Sequence, residues 1–206
     1  MRLPHQLKPW LRGGAAALLS ATLWACAPDA APKPAEIDDD TANFLHVKYQ
    51  PLLPEFRDNW FIARGDWSLT EREISGAGDA QMDLNGPFYT PLLFRCALSA
   101  APGSRPRIVF GNAFELAGDP APDGQGLLLT LRALPDGAAS ASCRVGYGKA
   151  SALKVLVKEL ETGLFVDGAA AVQLERGAGC IEVIKFSAGD IDHPGKATFG
   201  GVQLNQ

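Results

Sequence analysis

Residue types that do chemistry are scarce in this chain. It has three histidines, His5, His46 and His193, and four cysteines. No G-x-S-x-G elbow occurs, and no Ser, His and Asp set assembles into a triad. Neither C-x-x-C nor H-x-x-x-H is present, so the usual metal-ligand spacings are missing. Gly76-x-Gly78 and Gly146-x-Gly148 are isolated pairs with no helix after them. They read as turns or strand bends, not as phosphate cradles. Positive charge is short as well, with 19 Lys and Arg against 23 Asp and Glu and a net charge of -4. Without a basic stripe, an acidic chain has no means of paying for phosphate contacts, which excludes nucleic acid as a partner.

What the chain has in quantity is turn residues, 22 glycines and 15 prolines, set in short clusters between apolar stretches. Helical periodicity nearly vanishes past residue 40. Beta-type runs recur every 8–12 residues or so, the pattern of a sandwich or barrel. The expected strands are Phe44–Tyr49, Trp60–Ala63, Trp67–Leu69, Glu73–Ser75, Leu92–Ser99, Arg107–Phe110, Gly126–Arg132, Ala141–Tyr147, Leu153–Glu159, Gly163–Val166, Ala169–Leu174, Cys180–Phe186 and Ala197–Leu204. In Leu92–Ser99 the even positions Leu92, Phe94, Cys96 and Leu98 alternate with Arg95 and Ser99, as in a strand with one buried side. Leu127–Leu131 is almost wholly apolar, which predicts a central strand covered on both faces. Asp167-Gly168 between two apolar runs predicts a tight hairpin. Ala150–Glu161 is the one stretch that a helix would suit, and its Val-Leu-Val centre favours a strand.

The N-terminus reads as an address. Arg2, Lys8 and Arg12 precede the short apolar run Gly13–Leu23, which is too brief to cross a bilayer core of roughly 30 Å but suits a signal segment. The run ends in Leu23-Trp24-Ala25-Cys26, which resembles the lipobox of bacterial lipoproteins. That resemblance implies cleavage after residue 25, a lipid on Cys26, and an anchor in a membrane. Ala27, where inner-membrane retention signals place Asp, implies the outer membrane. Ala25-Cys26-Ala27 also fits an ordinary cleavage site of a secreted protein, and the run also fits an uncleaved anchor. The shortness of the run and the Pro- and acid-rich stretch after it favour the lipoprotein. The organisation expected is a signal peptide over 1–25, a lipidated flexible tether over 26–43 that includes Asp38-Asp39-Asp40, and one β domain over 44–206. Loss of the three N-terminal cations, with no acid among them, would take the net charge from -4 to -7.

Within the domain, Asp58-Asn59-Trp60, Gly65-Asp66-Trp67-Ser68-Leu69 and Ile74-Ser75-Gly76 resemble the opening of concanavalin A-like (laminin G-like) jelly rolls. Phe94–Ser99, Arg107–Gly111, Leu153–Gly168 and Gly195–Val202 follow in the order that the resemblance expects. It implies an all-β antiparallel sandwich over about residues 56–204, with Trp60 and Trp67 in the core. It also implies a choice of function between carbohydrate binding and glycoside hydrolysis. The β-glucanases of this fold carry E-x-D-x-E or E-x-D-x-x-E on one strand, and no such triplet lies in a strand here. Hydrolysis needs paired carboxyls. The pairs available are Glu71/Glu73 and Glu159/Glu161 at strand ends, and Asp190/Asp192 in a loop beside His193.

The expected function is therefore a tethered, non-catalytic binding sandwich for carbohydrate or another envelope component. A glycoside-active hydrolase and an accessory or structural subunit of an envelope assembly stand as alternatives. Candidate ligand-binding rings are Phe88 and Tyr89 in a Gly/Pro-rich loop, where sandwiches also place plugs over the core end. Asp190 and Asp192 are candidate oxygen ligands for calcium, against the simpler reading of an acidic turn closed by Pro-Gly. Arg64-Gly65-Asp66 spells an adhesion tripeptide but falls where a turn is expected. Cys96, Cys143 and Cys180 allow one disulfide and a leftover thiol, or three reduced thiols.

Overall fold

The computed structural model describes residues 50–51, 59–137 and 139–205. Cys26, the signal and tether segments, His46 and the expected strand Phe44–Tyr49 lie outside them. The described chain is built of strands: β1 (Gln50–Pro51), β2 (Trp60–Leu69), β3 (Glu73–Tyr89), β4 (Leu92–Ala100), β5 (Arg107–Phe110), β6 (Phe114–Pro120), β7 (Leu127–Ala133), β8 (Ala139–Val145), β9 (Ser151–Val157), β10 (Thr162–Val166), β11 (Ala169–Leu174), β12 (Cys180–Ser187) and β13 (Gly195–Asn205). All the pairings are antiparallel.

Strand β3 organises the whole. Its first half, Glu73–Gly78, pairs with β13, and its second half, Gln81–Tyr89, pairs with β12. Two sheets diverge from it. The front sheet runs β11-β10-β9-β4-β13-β3, and the back sheet runs β3-β12-β5-β6-β7-β8. β2 follows β3 along its length, with register shifts on either side of Arg64. Gly65 occupies the left-handed region at φ 75°, and a Cβ there would lie 2.6 Å from the Ala80 Cα. Bulges bend a strand and raise its twist, so Arg64-Gly65-Asp66 is a bend inside β2 and not the turn expected. Arg64 is held by Asp79 of β3 at 3.0 Å.

The even face of β3 (Ile74, Gly76, Ala80, Met82, Leu84, Phe88) stays inward through the bend. The core lies between the sheets, with Phe94 of β4 edge-on to Phe110 of β5 at 5.2 Å. Phe186 of β12 meets Phe199 of β13 at 5.2 Å. Trp60 and Trp67 pack against this cluster as half-buried rings, on Phe186 and Phe199 respectively. The Gly that ends Ile74-Ser75-Gly76 has a steric cause: a Cβ on Gly76 would sit 2.9 Å from the Trp67 ring.

Three expectations are corrected. Glu73–Ser75 is the start of a strand of 17 residues, whose Gly- and Asp-rich middle hides it from a run-based reading. The strand β6 was not anticipated, because Gly118-Asp119-Pro120 resembles a loop. Leu127–Leu131 is covered fully on one face and partly on the other: Leu127, Leu129 and Leu131 are buried, as is Thr130, which shares a 2.6 Å hydrogen bond with Ser142, while Leu128 is half-buried. The Asp-Gly hairpin is as expected, with Asp167 at φ 51° and Gly168 at φ 84°. The Asp167 carboxylate accepts from the Ala152 amide at 2.8 Å, which ties the turn to β9.

Candidate functional site

Directly paired residues of an antiparallel ladder share a face, so the register reads out both sides of the front sheet. Its inner rows carry the core. On the outer side, one row runs Gln203, Arg95, Lys154 and Phe165 across β13, β4, β9 and β10. The next row holds Gly200, Ala97 and Ala152. A third row is hydroxylic, with Ser68, Ser75, Thr198 and Ser99 in line across four strands. Ser75 and Thr198 share a hydrogen bond of 2.9 Å.

Over the first two of these rows lies an open trough of about 590 Å³. Its floor is made of small residues, Ala97, Ala152, Gly200 and Gly201, and Arg95, Lys154, Phe165 and Gly168 form its sides. The floor is low because β13 bulges there. The register slips between Gly200 and Gln203, and Gly201 takes φ 55° while its amide donates to the Arg72 carbonyl at 2.6 Å. A glycine inside a strand weakens it and marks a place where a ligand or another backbone approaches closely. At Gly200 a Cβ would make only an ordinary contact, 3.7 Å from the Ala97 Cβ, so packing does not demand a glycine there.

Among the described residues, the charged side chains of the trough's lining are Arg95 and Lys154, and the Asp167 carboxylate lies beside it, bound to the Ala152 amide at 2.8 Å. The Lys154 ammonium stands 4.2 Å over the Phe165 ring, a cation–π arrangement. Loss of hydration there pushes its pKa down from the ordinary lysine value. Glu73 pairs with Gly200 and so faces the same side, exposed, one strand outside the lining. On the same side Leu93 and Leu156 join Phe165 in a small buried cluster separate from the main core.

The back sheet differs in character. Its outer face is a ladder of closed ion pairs, Arg107–Asp119 at 2.9 Å, Arg132–Asp119 at 2.8 Å and Arg132–Glu115 at 3.3 Å. Burial alone would raise the Asp119 carboxyl, but the hydrogen bonds and charges of Arg107 and Arg132 outweigh it and hold the carboxyl below its ordinary value. A second cavity of about 710 Å³ lies at one end of this face, lined by Arg176, Cys180, Glu182 and Lys185 among others.

The sequence candidates are scattered around the trough instead of lining it. Phe88 turns into the core at 6% exposure, so only Tyr89, 60% exposed, presents a ring at the surface. Tyr89 pairs with Cys180 on the back sheet. Asp190 closes its own loop: its carboxylate accepts from the Asp192 and His193 amides at 3.0 and 2.7 Å and sits 3.1 Å from the His193 Nδ1. Among the described residues no three His, Cys, Asp or Glu side chains gather as a metal site. Glu161 is bound by Lys158 at 2.6 Å and by Gln173 at 2.9 Å, and the Lys158 hydrogen bond holds its carboxyl below the ordinary value. Glu71 and Glu159 are exposed in turns. Cys96, Cys143 and Cys180 are all free thiols, and burial pushes the Cys96 thiol far up and raises Cys143 as well.

Sequence reasoning missed Arg95 and Lys154 as a pair because they are 59 residues apart and meet only through the β4–β9 register. The one available signal was their parity: each is a cation on the outer face of an otherwise apolar strand.

No family model and no curated protein sequence matches this chain. Solved structures do. A domain of a sialidase superposes with a TM-score of 0.56 at 15% identity over 72% of this chain, which spans 17% of the sialidase chain. The carbohydrate binding module CBM66 from Bacillus subtilis gives a TM-score of 0.54 at 13% identity, over 72% of this chain and 96% of its own. The Bacillus licheniformis β-glucanase gives 0.56 at 12% identity, over 78% and 98%. The protein is thus an antiparallel β-sandwich of the concanavalin A-like jelly-roll fold, shared with carbohydrate-binding and glycosyl hydrolase domains. Fold alone does not choose between those activities.

Proposed function

We propose that this chain is an exported lipoprotein, anchored through Cys26 in the outer membrane, whose sandwich binds carbohydrate on the front sheet and does not cleave it. The observation that carries the binding site is the trough itself, a small-residue floor beside the row that holds Arg95, Lys154 and the Phe165 ring. Similarity to a carbohydrate binding module supports the ligand class. Cleavage by the usual glycosidase route needs two carboxyl groups roughly 5–10 Å apart. Among the described residues the trough lining has none; Glu73 stands at its margin on β3, and the Asp167 carboxylate beside it is tied to the Ala152 amide.

The test is a glycan-binding screen of the full chain beside Gly200→Leu, which puts a side chain into the trough from an unstrained backbone position. The variant is expected to keep the cooperative melt and lose glycan binding. Unchanged binding would move the site off this face, and turnover of a glycan would overturn the non-catalytic reading. Running the screen with and without calcium also tests the ligand role considered for Asp190 and Asp192. Metabolic labelling with a palmitate analogue tests the anchor, with label expected on the wild-type chain and lost in Cys26→Ala.

The reading as a subunit that docks on an envelope protein has its own support. β2 pairs only with β3 among the described residues, and it exposes Phe61 (60%) and Ile62 (48%). Substituting both by Ser would cut partner crosslinking and spare glycan binding if that edge is an interface.

A further inference from the structure

Past the floor of the trough, the outer face of the front sheet changes chemistry within one row. Ser68, Ser75, Thr198 and Ser99 are register partners in line across β2, β3, β13 and β4. Neighbouring strands lie about 4.7–4.9 Å apart, so the four hydroxyls span about 14 Å. The floor row runs parallel to them at two residues of strand rise, about 6.6 Å away. It crosses β9, β4 and β13 at Ala152, Ala97 and Gly200 and then reaches Glu73 on β3. Cross-strand hydroxyls stabilise a sheet when they bond one another, as Ser75 and Thr198 do at 2.9 Å. Ser68 and Ser99, at the two ends of the row, make no side-chain hydrogen bond among the described residues, and neither does the exposed Glu73 carboxylate. A hydroxyl both donates and accepts, and a carboxylate accepts. The trough is unwalled at Gly168 and Gly201, where a Cβ would meet no heavy atom within 4 Å.

We infer that the trough and the hydroxyl row form one track across the front sheet, which takes an internal stretch of a linear, hydroxyl-rich glycan chain and not a single terminal sugar. The inference rests on the carbohydrate-binding reading above and deepens it, because it fixes the direction and the length of chain recognised. The sugar rings lie over Ala152, Ala97 and Gly200, where side chains are short or absent. Ser99 and Thr198 bond the ring hydroxyls along one edge of the chain, and Ser75 and Ser68 continue that contact beyond the trough. Glu73 accepts from the sugar unit above β3. A ligand of one ring, seated in the trough, would leave most of the hydroxyl row in water. Ser75, Ser99 and Glu73 are thus specificity-determining residues for chain length, and the Gly200–Gly201 bulge keeps the path between them clear.

The experiment titrates β-linked glucose oligomers and β-linked galactose oligomers, each as monomer, dimer, tetramer and hexamer, into the full chain. The hexamer of a series that binds is expected to bind at least about tenfold tighter than its dimer, about 1.4 kcal/mol. The double variant Ser75→Ala/Ser99→Ala and the single variant Glu73→Ala should each remove most of that margin and leave the dimer within about twofold of its wild-type affinity. The length series needs no variant, so it decides the matter even where a substitution disturbs folding. Equal binding of dimer and hexamer overturns the track and leaves the carbohydrate reading standing. A length dependence that both variants keep in full overturns the assignment of the hydroxyl row and Glu73. Binding of no glycan, in these series or in the screen above, overturns both readings.

Discussion

At the residue scale, neighbouring positions with similar sequence logic have opposite fates. Phe88 and Tyr89 look equivalent in a Gly/Pro-rich stretch, yet strand parity sends one into the core and the other to the surface. Phe88→Ala should therefore cost about 3–5 kcal/mol in a urea titration, as truncation of a buried aromatic does. Tyr89→Ala should change stability by about 0.5 kcal/mol or less. Gly76 shows the reverse case, where the absent side chain is the structural feature. Gly76→Ala would push a methyl against the Trp67 ring and is expected to cost about 1–3 kcal/mol as overpacking. Asp119 supplies the pH dependence. Its carboxyl is lowered in the folded state, so its contribution is present in full above the ordinary carboxylate range and is lost as pH falls through the lowered value. Asp119→Asn should lower the thermal midpoint by a few degrees at neutral pH, about 1 kcal/mol, and the gap should narrow below about pH 4.

At the scale of elements, the hairpin was legible and the long strand was not. Asp167-Gly168 needs positive φ at both turn positions, which is local chemistry, and the hairpin β10–β11 is where Asp-Gly places it. Gly168→Ala meets no steric obstacle, since no heavy atom lies within 4 Å of the new Cβ. Its expected cost of about 1–2 kcal/mol comes from the left-handed backbone alone, measured as a lowered denaturation midpoint. β3 could not be read the same way. Its middle, Gly76–Asp79, carries two glycines and an aspartate because there the strand leaves one sheet for the other under Trp67 and beside the β2 bulge. β6 escaped notice for a related reason: Asp119 looks like a loop residue until Arg107 and Arg132 are found on the strands either side of it.

At the scale of the molecule, the last strand closes the front sheet. β13 sits between β3 and β4, so the central pairing of that sheet depends on Gly195–Asn205. A chain ending before Gly195 would lose Ala197, Phe199, Val202 and Leu204 from the core and leave two strands unpaired on their inner edges. It is expected to give no cooperative thermal transition by circular dichroism. The same strand supplies the Gly200–Gly201 bulge, so folding and the trough depend on one element.

The sequence by itself determined that the chain would be an antiparallel β-sandwich of the concanavalin A-like fold. The signals for it are local: alternation, turn chemistry, and the spacing of residues along one stretch. Only the tertiary structure decided where a ligand could lie. Arg95 and Lys154 become neighbours through strand register, and the floor beside them is opened where β13 carries one extra residue opposite β4. Register is set by how two faces of a sheet bury their side chains against partners far away in the chain. No local pattern around residue 95 or residue 154 contains it.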